Sequence, residues 1–351
     1  MSTANLDAAD LAAALAAPGL IREDVMDTVY NLDEGIPTPF TDMVRGGSHS
    51  NPYSEWTEDD LTAVDITNAA IDGSAASGDD TSVGLRVGNR QQISDKVVRI
   101  SHVSEAIDSI GSVGRMAYQT AKRLLDLRRD VEAIATGRQA SVADNGDDTA
   151  GKTAGLGAWI ATNADVGAGA GAVGGFNTST KVVDAPVAGT VRALTWANVR
   201  ARIEEVYNAG GYPSVLMSIP ATIKGINTFL FGSGGDPYRA APTANVQGTT
   251  PVTQAAQGWI TVVLSDFGIS LSLVDNRLQQ KYNTATATDV FILDPAYLGL
   301  SYLGGYRNDV LGKTGHSDMR LLSVNWMTKC FREDAHALIA DIDFTAAVAA
   351  S

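Results

Sequence analysis

The longest run of regular hydrophobic spacing lies between residues 112 and 136. There, apolar side chains recur at steps of three and four, the period of one face of an α-helix, and charged side chains occupy the other face. The apolar stripe consists of Val113, Met116, Ala117, Thr120, Leu124, Leu127, Val131 and Ile134. Ser112 can cap the first turn, and Gly137 can end the helix in a left-handed turn. The pattern predicts a helix of about 25 residues, roughly 37 Å long; an ordinary surface helix is the alternative.

Two segments before this helix have the pattern of β-strands. Residues 82–87 and 92–101 alternate or carry β-branched side chains, and residues 72–80 have the composition of a turn. An outgoing strand before the turn has some apolar content, supplied by Trp56, Leu61, Val64 and Ile66. The pattern predicts a long hairpin, and such a hairpin is marginal alone in water, so it needs a surface to lie on. A disordered acidic insert is the rival interpretation.

The rest of the chain alternates helical and strand patterns. An Ala-rich helix is predicted at 6–17, and an irregular Gly/Ala-rich region at 138–190. Further helices are predicted at 196–208 and 220–231, where Pro220 occupies the first turn. Strands are predicted at 214–219, 259–264, 268–274, 290–293, 320–331 and 335–343, the last two packing under the long helix. Residues 232–258 are polar and rich in Gly, Pro and Thr, which is typical of a surface excursion.

Charge is unevenly distributed along the chain. Residues 46–85 contain eight acidic residues and no Lys or Arg, whereas residues 86–138 contain ten basic and six acidic residues. Opposite charges on adjacent segments can set direction and register between chains. We therefore expect an interface in which the outgoing strand of one copy lies over the long helix of another. Its residues are Glu55, Trp56, Glu58, Asp59, Asp60 and Asp65 on the strand, and Arg115, Lys122, Arg123 and Arg129 on the helix.

Composition excludes several functional classes. The net charge of −14 argues against a primary nucleic-acid binder, because duplex binding depends on phosphate neutralisation. The single cysteine, Cys330, excludes an internal disulfide and a cysteine-based zinc site, and its apolar neighbours predict burial. The sequence shows no signal peptide and no apolar run of transmembrane length. These features predict a protein made in a cytoplasm and acting without a membrane.

One segment matches a nucleotide-binding motif letter for letter. Residues 146–153, GDDTAGKT, fit G-x-x-x-x-G-K-[ST], and VFILD at 290–294 resembles the apolar strand whose Asp would hold Mg²⁺. The context differs from that of a P-loop. The preceding segment is polar, Asp147 and Asp148 would repel phosphate, and the residues after Lys152 are poor helix formers. Nucleotide binding is therefore the less favoured interpretation.

Other candidate chemistry is weaker still. GAGAVG at 169–174 fits G-x-G-x-x-G but lies in a Gly/Ala tract that no helix follows. The four histidines, His49, His102, His316 and His336, have no metal-ligand spacing on a helix. Glu333, Asp334 and His336 cluster in a predicted turn between strands, where side chains are usually solvated. We predict that the protein is not an enzyme and binds neither cofactor nor metal.

Five short sequence segments, occurring in a fixed order, make the chain resemble one known family. They are NPYSEW at 51–56, QISDKVVRIS at 92–101, AYQTAKRLLDLRRDVE at 117–132, VFILDPAYL at 290–298 and LGKTGHS at 311–317. Together they resemble the major capsid protein of tailed bacteriophages, over roughly residues 29–345. The resemblance implies the α+β Hong Kong 97-type fold. Its parts would be an N-terminal arm (1–50), an extended β-hairpin loop (51–100), a peripheral domain (101–193) with its spine helix (112–136), an axial α/β domain (194–311), and C-terminal strands returning to the peripheral domain (312–351).

The resemblance also implies a function. The chain would assemble with itself into hexamers and pentamers of an icosahedral shell around double-stranded DNA, without sequence-specific binding. Portal, scaffolding and decoration proteins would be further partners. The protein would be located in the virion capsid after assembly in the bacterial cytoplasm. An encapsulin-like compartment shell, which shares the fold but encloses protein cargo, is the main alternative.

Overall fold

A computed structural model describes residues 26, 30, 35, 37–73, 75, 83–107, 111, 114–231, 261–282, 286–313 and 315–349. The α-helices are α1 (Pro39–Met43), α2 (His102–Ala106), α3 (Met116–Ala135), α4 (Leu156–Trp159), α5 (Trp196–Asn208) and α6 (Pro220–Phe231). The strands up to residue 218 are β1 (Arg45–Ser48), β2 (Tyr53–Glu58), β3 (Leu85–Arg90), β4 (Gln92–Ser101), β5 (Ala164–Asp165), β6 (Gly175–Asn177), β7 (Val182–Asp184) and β8 (Val215–Ser218). The later strands are β9 (Val262–Leu264), β10 (Ser270–Asp275), β11 (Ala287–Leu293), β12 (Leu298–Val310), β13 (Ser317–Cys330) and β14 (Ala337–Asp343).

A six-stranded sheet forms the centre of one half of the molecule. Its strand order is β5-β14-β11-β8-β10-β9, with β11 antiparallel to both neighbours. Every residue of β8 and β11 is buried, which explains the apolar runs at 215–217 and 290–293. Helix α5 contributes Val199, Ile203 and Val206 to the core on one side of this sheet. This region is a compact α/β unit, as its sequence pattern predicts.

A four-stranded sheet backed by the long helix α3 forms the other half. Its order is β1-β12-β13-β4, and β13 pairs with β4 along ten residues of β4, from Gln92 to Ser101. Alternate residues of β13, including Leu322, Val324 and Trp326, are buried in the same core cluster as Leu127 and Val131 of α3. The helix therefore packs on one face of this sheet, and the period of two in β13 matches its single buried face.

The long helix differs in two details from its prediction. It covers Met116–Ala135, with Arg115 at the N-cap and no side-chain cap bond, so Ser112 does not cap it. Twenty residues give a length of about 30 Å. Gly137 is outside the left-handed region. Glycine is suited to this position because a Cβ there would lie 2.9 Å from Nε2 of Gln280 and 3.1 Å from the carbonyl oxygen of Ile134.

The predicted hairpin is shorter than expected. Strands β2 and β3 pair antiparallel, with Tyr53 opposite Arg90 and Glu58 opposite Leu85. Residues 59–73 form no strand, although the outgoing strand was predicted to continue there through Leu61, Val64 and Ile66. Strand β4, predicted as part of the hairpin, instead pairs with β13 beneath the long helix. The turn at 72–80 lies largely outside the described residues.

The two C-terminal strands belong to different sheets. Strand β13 packs under the long helix as predicted, but β14 lies in the six-stranded sheet beside β11, with Phe291 opposite Leu338. The prediction that both strands lie under the helix is therefore wrong for β14. Two other predicted elements, the helix at 6–17 and the excursion at 232–258, lie outside the described residues.

A buried charge cluster connects the end of α3 to the six-stranded sheet. Arg138 makes paired bonds to the carboxylate of Asp289 and a 2.9 Å bond to Asp341, and its guanidinium lies 4.3 Å from the ring centre of Tyr282. Asp341 also accepts backbone bonds from Gly167 and Gly189. Because each charge has partners, the cluster holds the end of α3 to the six-stranded sheet without leaving a buried ion unpaired.

Candidate assembly surface

The hairpin of β2 and β3 is attached to the body by an aromatic contact. The ring of Trp56 lies 5.6 Å from that of Trp159 and 5.9 Å from that of Phe331, and it is half-buried. The sequence predicted Trp56 as part of an interface between copies. The structure places it against the core of its own chain, where it fixes the base of the hairpin. We call residues 53–73 the acidic arm and the contact around Trp56 the arm base.

Ion pairs at the arm base also lie within one chain. Glu55 pairs with Arg86 across the hairpin. Arg332 pairs with Asp60 and Asp334, and its Nη1 donates a 3.1 Å bond to the backbone oxygen of Asp59. Three of the five predicted acidic interface residues, Glu55, Asp59 and Asp60, are therefore engaged at least partly by their own chain.

Glu58 is the most perturbed titratable group of the acidic arm. Burial raises its pKa to about 7, and the carboxylates of Asp334 and Glu333 act in the same direction. A 3.4 Å bond from the indole N–H of Trp56 and the nearby Arg332 oppose this shift. The arm base thus contains a carboxyl group that titrates near neutral pH.

Beyond the arm base, the acidic arm lies in solvent. Its large apolar side chains are almost fully exposed: Leu61 at 99%, Ile66 at 94%, Val64 at 90% and Ile71 at 81%. Asp65 accepts bonds from the backbone N–H and the hydroxyl of Thr67, so its carboxylate stabilises a local turn. Four exposed apolar side chains on one segment are unusual for a soluble monomer and are typical of an interaction site.

The predicted cationic partners lie on α3, with Arg115 at its N-cap. Arg115, Lys122 and Arg123 are exposed. Arg123 and Arg129 contact Asp126 of their own helix at 3.0 and 4.0 Å. Among the described residues, the ion pairs of the arm carboxylates are to Arg86 and Arg332, so the structure does not join the two predicted groups within one chain.

The sequence analysis missed a buried carboxylate that holds the N-terminal part of the described chain. Glu132 of α3 accepts 2.8 Å bonds from the backbone N–H groups of Phe40 and Thr41, a 2.6 Å bond from the Thr41 hydroxyl and a 2.7 Å bond from Asn276. Burial raises its pKa, and these donors oppose the shift. An acidic residue beside Val131 in the apolar stripe was the available signal.

The segment whose sequence matches the P-loop motif folds as a surface turn. Val142 and Lys152 exchange two 3.0 Å backbone bonds, so the chain reverses between them. The side-chain oxygen of Asn145 accepts the amides of Asp147 and Thr149 at 3.0 and 2.9 Å. In a P-loop, such amides would bind phosphate. Because Asn145 occupies them, the geometry gives no support to nucleotide binding.

Three further features concern metal binding and membrane crossing. The rings of His102 and His316 lie 6.1 Å apart although the residues are distant in sequence. The described part of the chain contains no group of three or more His, Cys, Asp or Glu side chains that could hold a metal ion. In the same part of the chain, no helix has the length and apolarity needed to cross a bilayer.

A long helix on a four-stranded sheet, an α/β unit and a projecting hairpin together define the Hong Kong 97-type capsid fold. Solved structures with this fold align over nearly the whole chain. The capsid of a native GTA particle aligns at a TM-score of 0.58 and 13% identity, over 93% of this chain and 97% of that chain. The SrpI encapsulin of Synechococcus elongatus PCC 7942 aligns at 0.54 and 11%, over 93% and 94%. A chain of Mycobacterium phage Adephagia aligns at 0.54 and 11%, over 97% and 99%.

Sequence comparison defines the family within this fold. The chain belongs to the SU10 major capsid protein family, whose model matches residues 3–343, and it is therefore a major capsid protein of the tailed-phage type, located in the virion capsid. The major capsid protein of Escherichia phage Phieco32 is 32% identical over 103 residues. That match spans 29% of this chain and 29% of the relative's length.

Proposed function

We propose that the chain assembles with itself into hexamers and pentamers of an icosahedral shell that encloses a double-stranded DNA genome. The observation that carries this proposal is the acidic arm, whose apolar side chains are exposed in the single chain. Burying Leu61, Val64 and Ile66 against another copy would remove a large apolar area from water, which is favourable by about 25 cal/mol per Å². The shell forms in the host cytoplasm, and portal, scaffolding and decoration proteins join it.

The proposed parts of the subunit follow the two sheets. The axial domain, predicted at 194–311, surrounds the centre of each capsomer; its strands up to residue 293 lie in the six-stranded sheet, whereas β12 lies in the sheet under α3, which belongs to the peripheral domain. Residues 1–50 form an arm that contacts other subunits, and residues 232–258 form a surface excursion of the axial domain. The protein acts structurally and has no catalytic role. The net charge of −14 supports a shell wall that encloses DNA without binding it tightly.

Electron microscopy of purified particles tests the proposed function. We expect closed shells of uniform size that protect DNA from added nuclease. Shells filled with a protein cargo instead of DNA would favour the second candidate, a compartment shell, which the alignment with the SrpI encapsulin supports. A protein that stays monomeric at high concentration, with its fold intact, would contradict both candidates.

We also propose that the acidic arm of one subunit lies over helix α3 of a neighbour. The proposal comprises the five acidic residues and Trp56 of the arm with Arg115, Lys122, Arg123 and Arg129 of the helix. The exposure of Lys122 and Arg123 supports it. Each exposed ion pair contributes only about 0–1 kcal/mol, so the contact acts through its repetition at every subunit boundary.

Charge reversal tests this contact. Lys122→Glu with Arg123→Glu should impair assembly while leaving the monomer folded, because both side chains are exposed. Adding Asp59→Lys and Asp60→Lys should partly restore particle yield, measured by sedimentation at low salt, where screening is weakest. A control with the same charge change, Lys181→Glu with Lys224→Glu, alters exposed sites elsewhere and should assemble like the wild type. Normal assembly of the helix variant at low salt would exclude the contact.

A further inference from the structure

Strand β4 is a long edge strand. Among the described strands, β4 is the last on its side of the four-stranded sheet, and it pairs with β13 along its whole length. It has ten residues, whereas most strands in proteins have about five or six. The outer row of backbone N–H and C=O groups of an edge strand is a template for pairing with another strand. The edge of β4 is therefore a surface to which a further strand can be added.

An open groove runs along this edge. Residues 97–101 line a volume of about 750 Å³ together with Gln119 and Arg123 of α3. Side chains of consecutive strand residues alternate between the two faces of a sheet, so five residues in a row can border one groove only along the edge of the strand. In the part of the chain that the structure describes, the groove therefore leaves room for a strand beside β4.

Apolar and charged side chains alternate on one face of β4. Ile93 and Val97 are 55% and 51% exposed, and Asp95 and Arg99 are exposed as well. Their neighbour Val98 is buried in the core cluster beneath α3, so these four side chains lie on the opposite face of the sheet. Exposed apolar side chains beside an open strand edge favour pairing with another chain.

The sequence of β4 is complementary to itself in one antiparallel register. When Val97 lies opposite Val97 of a second copy, Asp95 of each chain lies opposite Arg99 of the other, and Ile93 lies opposite Ser101. Opposite charges directly across a strand pair stabilise it, and like charges destabilise it. Sliding this register by two residues places a charge opposite Val97, and sliding it by four places like charges opposite each other. The charges of β4 therefore specify a single register with a second β4.

Neither charge forms an ion pair in the part of the chain that the structure describes. Arg99 donates a 3.1 Å bond to the hydroxyl of Ser317. The ion pair that β4 makes with its own chain is that of Lys96 with Asp130 of α3, on the other face of the sheet. Asp95 and Arg99 are therefore available to a second copy.

We propose that β4 of one subunit pairs antiparallel with β4 of a second copy, about a two-fold axis at Val97. Directly opposed residues of an antiparallel pair point to the same face. The two four-stranded sheets thus become one continuous sheet that carries both α3 helices on one face. The four charged side chains of the two strands, Asp95 and Arg99 of each copy, form two ion pairs on either side of the central valines.

This contact differs from the contacts that close a ring of subunits. A two-fold contact uses the same surface on both partners, whereas a ring of five or six subunits is closed by head-to-tail contacts. The pairing of β4 with β4 therefore links subunits of different rings. The inference rests on the proposed self-association into hexamers and pentamers, and it adds the surface through which adjacent capsomers are joined.

Disulfide formation between identical single-cysteine chains tests the register. Val97→Cys places two thiols across the two-fold axis, whereas two Ile93→Cys thiols lie about 27 Å apart at about 3.4 Å per residue. Both substitutions replace half-exposed side chains, so neither should affect folding. The native Cys330 is fully buried, and burial raises the pKa of its thiol, so it stays unreactive. After mild oxidation of purified particles, we expect at least about tenfold more covalent dimer for Val97→Cys, because a disulfide requires closely opposed Cβ atoms.

Charge exchange on β4 tests the same register in a second way. In the Val97→Cys chain, Asp95→Arg places two cations opposite each other at both ends of the pairing, and the dimer should fall at least about threefold. Adding Arg99→Asp exchanges the two charges, restores both opposed pairs and should recover the dimer. Both side chains are exposed, so the monomer should stay folded in either variant.

The other outcomes overturn the proposal in distinguishable ways. Intact particles without a Val97→Cys dimer would show that β4 does not pair with β4, while the proposed shell function would stand. Equal dimer yields for Val97→Cys and Ile93→Cys would show random collision instead of a fixed register. If the wild-type chain forms no particles, the proposed function is contradicted. The oxidation is then carried out on the soluble protein, where a Val97→Cys dimer supports the pairing and its absence overturns it.

Discussion

Replacing Glu132 by leucine will detach residues 37–44 from the body of the subunit. The substitution removes the acceptor for Phe40, Thr41 and Asn276, and the bonds from Phe40 and Asn276 are buried. Each buried donor left without an acceptor costs about 1–3 kcal/mol, so the expected loss is about 3 kcal/mol or more if the segment stays in place. Detachment lets water hydrate the two backbone amides, so the segment will leave the helix before the whole fold is lost.

Hydrogen exchange at the amides of Phe40 and Thr41 measures this detachment. We expect their protection to be lost, while the amides of β11 keep theirs, since that strand is buried in the six-stranded sheet. Glu132→Gln retains one acceptor oxygen and should show an intermediate effect. Asp130→Asn is the matched control. The Asp130 carboxylate, on the partly exposed side of the same helix, pairs with Lys96 of β4 at 2.6 Å. Removing its charge should cost less than about 1 kcal/mol. Full protection in the leucine variant would show that Glu132 does not anchor the segment.

The spacing of apolar residues correctly predicted those helices and strands that have the same kind of surroundings along their whole length. Helix α3 has a stripe at a period of 3.6, and its prediction as a long helix is confirmed, with a later start. Strands β8 and β11 are buried on both faces, and the apolar runs that predicted them, at 215–217 and 290–293, follow from that burial. The burial of Cys330 was predicted from its apolar neighbours and is confirmed.

Pairing between distant strands could not be predicted in the same way. Alternation in β4 shows that one face is buried, but it carries no information on the partner, and β13 is more than 200 residues away in sequence. The same applies to β14, whose apolar residues suit either sheet. The buried bonds of Glu132 and Arg138 depend on residues brought together only by this topology, so the sequence showed the charges without their partners.

The acidic arm could be predicted only in part. The sequence predicted that the arm has too few apolar residues to form a core of its own. The exposure of Leu61 and Val64 agrees with that prediction. The contact of Trp56 with Trp159 was not readable, because it joins residues more than 100 positions apart. Which of the predicted interface residues contact another subunit stays a prediction.

Raising the pH through neutrality will loosen the arm base, and Glu58 will be responsible. Burial raises its pKa from an ordinary value of 4.5 to about 7, with Asp334 and Glu333 adding to the shift and Trp56 and Arg332 opposing it. A carboxyl group whose pKa is higher in the folded state binds its proton more tightly there. Its stabilising contribution is therefore complete below pH 4.5 and is lost as the pH rises through about 7.

The size of this change in stability follows from the pKa shift of Glu58, reduced to allow for screening by solvent. Glu58 is only partly buried, so the contribution is on the order of 1–2 kcal/mol. That energy acts on the contact of Trp56 with Trp159 and Phe331, which holds the acidic arm to the body. Protection of the β2 and β3 amides from hydrogen exchange, corrected for the intrinsic rate at each pH, should fall about tenfold between about pH 5.5 and about pH 8.5.

Two variants separate Glu58 from the other carboxylates of the arm. Glu58→Gln is neutral at every pH, so its β2 and β3 amides should stay protected at about pH 8.5 and lose most of the pH dependence. Glu55→Gln removes a charge from the same strand but from the pair with Arg86, and it should keep the pH dependence of the wild type. The comparison is decisive because both variants change net charge equally. If the two behave alike, or if protection of the wild type rises with pH, then Glu58 does not control the arm base. If only the Glu58→Gln variant loses the pH dependence, then protonation of this one carboxyl group controls how tightly the arm base is held. The acidic arm that we propose contacts a neighbouring subunit would then be attached less tightly at high pH.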